Sequence, residues 1–277
     1  MGIYMCMKSG CRVSGEDFAR SKITIKASAF IVYAFLQISK SSTIPEETIL
    51  VKLFEPLPRE TGKSYALRVL RENIVDLELP PGSQISENEL SAALNISRTP
   101  IREALSELEA IKLVEIVPQK KTSISLIDYS MVDEAYFMRC ALETALIDQV
   151  CEQRTEEDLL RLEHNLEMQR LFCRSGALKE FKSKDDEFHR AFFEITHKME
   201  IYQLQQKLQA HSDRVRNLSL SIVADEAIIE EHAGIVDCIR EGDAPLAKSR
   251  LRRHLERYQI DAAAIRTAFP QYFKGKS

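Results

Sequence analysis

Four side chains in the C-terminal half are of the types that hold a divalent metal. Within KSKDDEFHRAFFEI, Asp185 and His189 are four residues apart, so a helix puts both on one face. His232 lies in EEHAGIV and His254 in RLRRHLE, each within a further helical pattern. Adjacent antiparallel helices would bring three imidazoles and one carboxylate together, a set suited to a divalent transition ion such as zinc, nickel or manganese. Such a site loses its ion in acid, as His189, His232 and His254 protonate. Spacing alone leaves the choice open. Asp/His pairs four apart arise by chance, and His164, His197 and His211 complete a pool of six histidines.

A second constellation, between Ser86 and Ser123, has chemistry suited to DNA. Ser86 followed by Glu89 is a capping-box pattern that starts a helix with Leu90, Ala93 and Leu94 on its apolar face. Asn95 can take the left-handed conformation that ends it. Ser97 is placed as the next N-cap, with Pro100 in the first turn, where no backbone N–H is needed. Ile101, Ala104, Leu105, Leu108 and Ile111 then recur at helical spacing and face a core, leaving Arg98 and Arg102 on an exposed side. A recognition helix enters the major groove by its N-terminal end, where Arg98, Thr99 and Arg102 lie. Arginine suits guanine O6 and N7, and the Thr99 methyl suits that of thymine. Ser97 and the free N–H groups of the first turn can hold a phosphate. Strands are expected over 113–117 and 123–127, with Lys120 and Lys121 at the tip of a wing that touches the DNA backbone or minor groove. Paired helices with solvated arginines are common. Cap, turn, arginine pair and wing taken together favour DNA.

Past Ile127 the pattern changes to long helices with short connections. Asp128 or Ser130 can cap a helix running to about Glu152, and Thr155 another, with Glu156, Glu157 and Asp158 crowding its positive end. Further helices are expected over 177–196, 199–220, 225–240 and 243–267. The fold class expected is therefore mainly α: an N-terminal winged helix-turn-helix followed by an all-α antiparallel bundle. Domain limits follow as an extension of unclear role (1–43), an arm (44–61), the winged domain (62–127) and the helical domain (128–277).

Composition places few limits. The chain has 277 residues and a net charge of -4, so attraction to nucleic acid must come from local placement of its cations. The apolar run from Ala27 to Ile38 is too short to span a bilayer, and no membrane partner is expected. Six cysteines without a CxxC pair read as reduced thiols of a cytoplasmic protein.

The stretch YALRVLRENIVDLELPPGSQISENEL followed by SRTPIREAL resembles the winged helix-turn-helix of the GntR family of bacterial transcription regulators. That resemblance implies operator contacts by Ser97, Arg98, Thr99 and Arg102, with help from the wing. Asn88 stands where relatives often carry a base-contacting residue, and Lys121 where they usually carry glycine. The second half is similar to the FCD ligand-binding domain of the FadR-type subfamily, whose D-x-x-x-H pattern and two later histidines match Asp185, His189, His232 and His254. Members with all four residues generally hold a metal that binds an organic-acid effector, so the full set argues against a fatty-acyl ligand. Arg139 and Glu143 match a family R-x-x-x-E arrangement, from which Arg139 can meet an effector carboxylate or simply pair with Glu143. Lys198 replaces an asparagine that many relatives have after the metal helix. The resemblance implies a homodimeric regulator, not an enzyme, that binds double-stranded operator DNA under control of a small carboxylate. The alternatives are a helical metalloenzyme fused to a DNA-binding module, and a regulator whose metal is purely structural.

Overall fold

A computed structural model describes residues 51–117, 122–220, 226–256 and 265–275, without the side chains of 219 and 220. The extension 1–43, the arm up to residue 50, and Lys120 and Lys121 lie outside the described residues. Helix α1 (Gly62–Val75) is capped by Thr61, whose side chain accepts from Ser64 N–H, and it buries Ala66, Val69, Leu70 and Ile74. The arm is tied to it: Asn73 accepts from Lys52 N–H (2.8 Å) and donates to Lys52 C=O (2.9 Å). Gly82 then takes φ 85°, a left-handed turn in which its N–H reaches the Ile124 carbonyl at 2.8 Å.

That turn delivers strand β1 (Gln84–Ile85), which the sequence pattern does not announce. Helix α2 (Glu87–Leu94) begins at Ser86, which accepts from Glu89 N–H. The Ser86 hydroxyl donates to the Glu89 carboxylate at 2.8 Å, but that carboxylate does not accept from the Ser86 N–H, so only the first half of the expected box forms. Asn95 ends α2 at φ 54° and ψ 42°, as its type predicts. Helix α3 (Arg98–Ala110) starts after Ser97, which sits at the N-cap position but makes no side-chain cap bond, leaving its hydroxyl uncommitted to the helix. Strands β2 (Val114–Ile116) and β3 (Thr122–Ile124) are shorter than the pattern suggests and form an antiparallel sheet in the order β1-β3-β2. Its register pairs Val114 with Ile124 and Gln84 with Ser123. One apolar core joins the three helices to the sheet, from Val69 and Leu70 through Leu90, Ile101 and Leu105 to Val114 and Ile124.

The remainder is a helical bundle. Helix α4 (Tyr129–Gln153) is capped by Asp128, whose carboxylate accepts from Ser130 N–H. Helix α5 (Glu156–Ser175) opens on a complete Thr155/Asp158 capping box and ends at Gly176 with φ 71°. Helices α6 (Leu178–Ile195), α7 (Met199–Leu220), α8 (Glu226–Glu241) and α9 (Ala244–Glu256) follow. Phe188, Phe192, Phe193, Ile235, Ile239 and Leu251 are fully buried in the bundle core. The last helix is expected to reach Thr267, but 257–264 lie outside the described residues. Residues 265–275 return to the junction between the two halves: Ile127 N–H donates to Tyr272 C=O (2.8 Å), Lys274 N–H to Ile127 C=O (3.0 Å), and Phe273 stacks on Tyr129. No described helix is long and apolar enough to cross a membrane.

Candidate functional site

The bundle places Asp185 and His189 on α6, His232 on α8 and His254 on α9. One donor atom from each lies within 4.8 Å of all the others; Asp185, His189 and His232 are buried and the His254 side chain nearly so. Atoms sharing one ion at about 2.0–2.2 Å stand roughly 3–4 Å from each other. Nε2 of His232 is 3.1 Å from Nε2 of His254 and 3.6 Å from Oδ1 of Asp185, while Nε2 of His189 is 3.9 Å from Oδ2 of Asp185. His164, His197 and His211 are outside the cluster.

The tautomers can be traced from outside the cluster. Asn165 Nδ2 donates to the Lys184 carbonyl (3.0 Å), so its Oδ1 accepts from Gln169 Nε2 (2.7 Å). Gln169 Oε1 is then an acceptor and must receive the Nδ1 proton of His232 at 2.9 Å. Nδ1 of His254 donates to Glu231 (2.9 Å), and Nδ1 of His189 to Glu143 (2.7 Å). His232 therefore turns an Nε2 lone pair toward Asp185, and His189 and His254, each with Nδ1 against a carboxylate, bring their Nε2 atoms to the same point. This is the arrangement by which outer groups orient metal-bound histidines. One consequence fits a cation at the centre: His189 Nε2 is buried with no hydrogen-bond partner among the described residues, while Nε2 of His232 and Nε2 of His254 share a hydrogen bond at 3.1 Å.

The electrostatics agree. Burial disfavours the Asp185 carboxylate, but Arg216, followed by His189 and His232, outweighs it and holds the group far below the usual carboxylate range. Burial likewise works against Glu143 until Arg139 and His189 pull it down to about 2. Desolvation keeps His232 and His189 neutral, with His254 adding to the effect on the first and Arg139 on the second. Neutral imidazole and ionised carboxylate are the forms that ligate metal. Arg139 is buried and bonded through Nε to Glu143, the partner of His189, at 2.7 Å. The sequence reading placed Glu143 beside Arg139 only, because its bond to His189 spans 46 positions along the chain. Gln169 and Glu231 gave no signal at all, and neither did Arg216, which pairs with both Asp185 and Asp186. Removing an outer partner of this kind typically weakens a metal site by about 10–100-fold. Glu143→Gln is expected to lower metal affinity within that range, as read by competition with a chromogenic chelator.

On the winged half, Ser97, Arg98, Thr99 and Arg102 are all exposed along one end of α3. Arg102 is committed in this state to Glu87 of α2, its Nε 2.6 Å from the carboxylate. A solvated pair of this sort contributes about 0–1 kcal/mol and yields readily to a better partner.

A winged helix-turn-helix joined to a helical bundle with a buried donor cluster defines a two-part DNA-binding regulator. Residues 66–124 match the family model for bacterial regulatory proteins of the gntR family, and residues 134–257 match that of the FCD domain. The chain is 33% identical over 209 residues to an uncharacterized HTH-type transcriptional regulator in an unstable DNA locus of Streptomyces ambofaciens, covering 74% of this chain and 86% of the relative. It is 29% identical over 217 residues to the HTH-type transcriptional repressor RspR of Escherichia coli strain K12, covering 78% of this chain and 95% of the repressor. In three dimensions it shares its fold with E. coli McbR/YncC (TM-score 0.64, 18% identity, 76% of this chain and 99% of that one). The chain belongs to the gntR family of bacterial transcription regulators and carries an FCD domain.

Proposed function

We propose that this regulator binds operator DNA as a cytoplasmic homodimer and that a divalent ion held by Asp185, His189, His232 and His254 forms the floor of its effector site. The observation that carries the reading is the convergence of three imidazole Nε2 atoms and one ionised carboxylate in the bundle, with His189 Nε2 without a hydrogen-bond partner among the described residues. An ion held by these four residues would supply Lewis-acid binding of a carboxylate. Arg139 orients that carboxylate through the guanidinium nitrogens beyond its Nε bond to Glu143. Zinc, nickel and manganese all suit the donor set.

Output falls to α3. Arg98, Thr99 and Arg102 read base edges, while Ser97 and the first-turn N–H groups hold a phosphate. In a two-fold dimer the paired helices meet a palindromic operator with half-sites one or more turns apart. Lys120 and Lys121 add backbone contacts from the wing. Lys120→Ala is therefore expected to weaken binding on every sequence and to lower the slope of log K against log salt by about one unit. A salt titration showing an unchanged slope would remove the wing from the phosphate contacts.

The reading is tested by a thermal-shift screen of small carboxylates on metal-loaded and chelator-stripped protein. Stabilisation by a carboxylate only when metal is present supports it. Equal shifts with and without metal would leave the bundle with a structural ion or none.

A further inference from the structure

Helix α7 carries two arginines two positions apart with opposite surroundings. Arg216 faces three carboxylates, those of Asp185, Asp186 and Asp213. Arg214 is fully buried and, among the described residues, meets no acid. Its Nη1 donates to the Ser125 carbonyl just past β3 (2.7 Å), its Nη2 to Nδ1 of His211 (3.2 Å), and its Nε finds no hydrogen-bond partner among the described residues. His211 passes the contact on, since its Nε2 donates to the Ile111 carbonyl at 2.7 Å. Ile111 is the C-cap of α3, the helix that carries Arg98, Thr99 and Arg102. Because Nδ1 accepts and Nε2 donates, His211 must be neutral, and burial lowers its pKa to about 4. Around this pair Ala210 enters the winged-domain core, Asn217 donates to the Val75 carbonyl (2.6 Å), and Arg71 of α1 donates to the Gln206 carbonyl (2.7 Å).

A buried arginine without a counter-ion is costly, and packing alone would be served by an apolar side chain of the same length. What Arg214 and His211 add is direction. They bind backbone carbonyls at the ends of the two elements that face DNA, and those acceptors persist whatever side chains the winged domain carries. We propose that His211 and Arg214 are positioning residues that seat the recognition helix and the wing strand on α7, and that Arg216 on the same helix makes this seat responsive to the metal ligand Asp185. The second half of this inference rests on the metal-centred reading above.

The test uses the full chain with spin labels on ketone-bearing amino acids at exposed Ala92 and Leu171. With the labelled chain diluted into an excess of unlabelled protein, so that each dimer carries one labelled pair, the wild type is expected to show one narrow distance distribution between the labels. Arg214→Met, which keeps the length and removes the donors, is expected to broaden or shift it at unchanged metal content. His211→Phe keeps the ring volume and decides the matter should Arg214→Met not fold. His211→Gln, which can donate at one end and accept at the other, is expected to restore the narrow distribution. A wild-type distribution in Arg214→Met or in His211→Phe overturns the seat. Operator affinity with and without metal separates the two claims. Wild type is expected to change by about 5–150-fold, and the broken-seat variants by less than about twofold. A variant that keeps the full metal response overturns the link through α7. A wild type with no metal response contradicts the metal-centred reading instead, and the label distances still judge the seat.

Discussion

Replacing His232 by alanine is expected to abolish metal retention and, with it, a large part of the thermal stability of the loaded protein. His232 is fully buried, its Nδ1 proton is fixed by Gln169, and its ring stacks on Phe188 with centroids 4.2 Å apart. Its Nε2 therefore has one direction to point and one kind of partner to meet there. A ligand bound only by the folded state stabilises it by about 4 kcal/mol when present at a thousand times its dissociation constant. For a chain of this size that corresponds to roughly 8–16 °C in Tm. Wild type should carry about one ion per chain and lose that increment when stripped. His232→Ala should melt at the same temperature with and without added metal. Elemental analysis checks the stoichiometry, and equal metal in both proteins would show that the cluster is not the site.

Arg102→Ala is the substitution expected to cost most at the DNA. Its guanidinium is exposed on the second turn of α3, and in the free protein it leans on Glu87. Exchanging that weak solvated pair for two hydrogen bonds to guanine O6 and N7 is worth about 1–3 kcal/mol of discrimination, or roughly 5–150-fold in affinity. The loss should appear on the operator and be small on random DNA. It should also relax preference at a single base pair per half-site. An equal loss on both DNAs would mean that Arg102 touches phosphate only. Arg98 lies one turn earlier on the same exposed side and is expected to behave in the same way at a neighbouring position.

Local chemistry made much of this legible in the residues. Asn95, Asp128 and Thr155 act where their side chains predict, because a cap is decided within about four residues of chain. The three histidine donors could be chosen from six histidines only by resemblance, since nothing along the chain says which helices meet. Strand β1 is two residues long and exists because β3 is there to pair with it. The bridge from Ile127 to Phe273 joins positions that no periodicity connects. The same reason hid Gln169 and Glu231, ordinary polar residues until the fold sets them behind His232 and His254. For α7 a signal was present but unused. Gln205, Gln209, Ser212, Asp213 and Arg214 recur on what becomes a buried face, and so polar a stripe inside a bundle marks a helix with more to do than pack.

On the proposed function, the state of the bundle cluster governs what α3 does on DNA. The most direct test is an operator titration by fluorescence anisotropy at fixed salt, on metal-loaded, chelator-stripped and reloaded protein, with His232→Ala as the control. Stripping is expected to change wild-type affinity by about 5–150-fold and reloading to reverse the change, while His232→Ala is expected to respond to neither step. Identical operator affinities for loaded and stripped wild type would contradict that dependence.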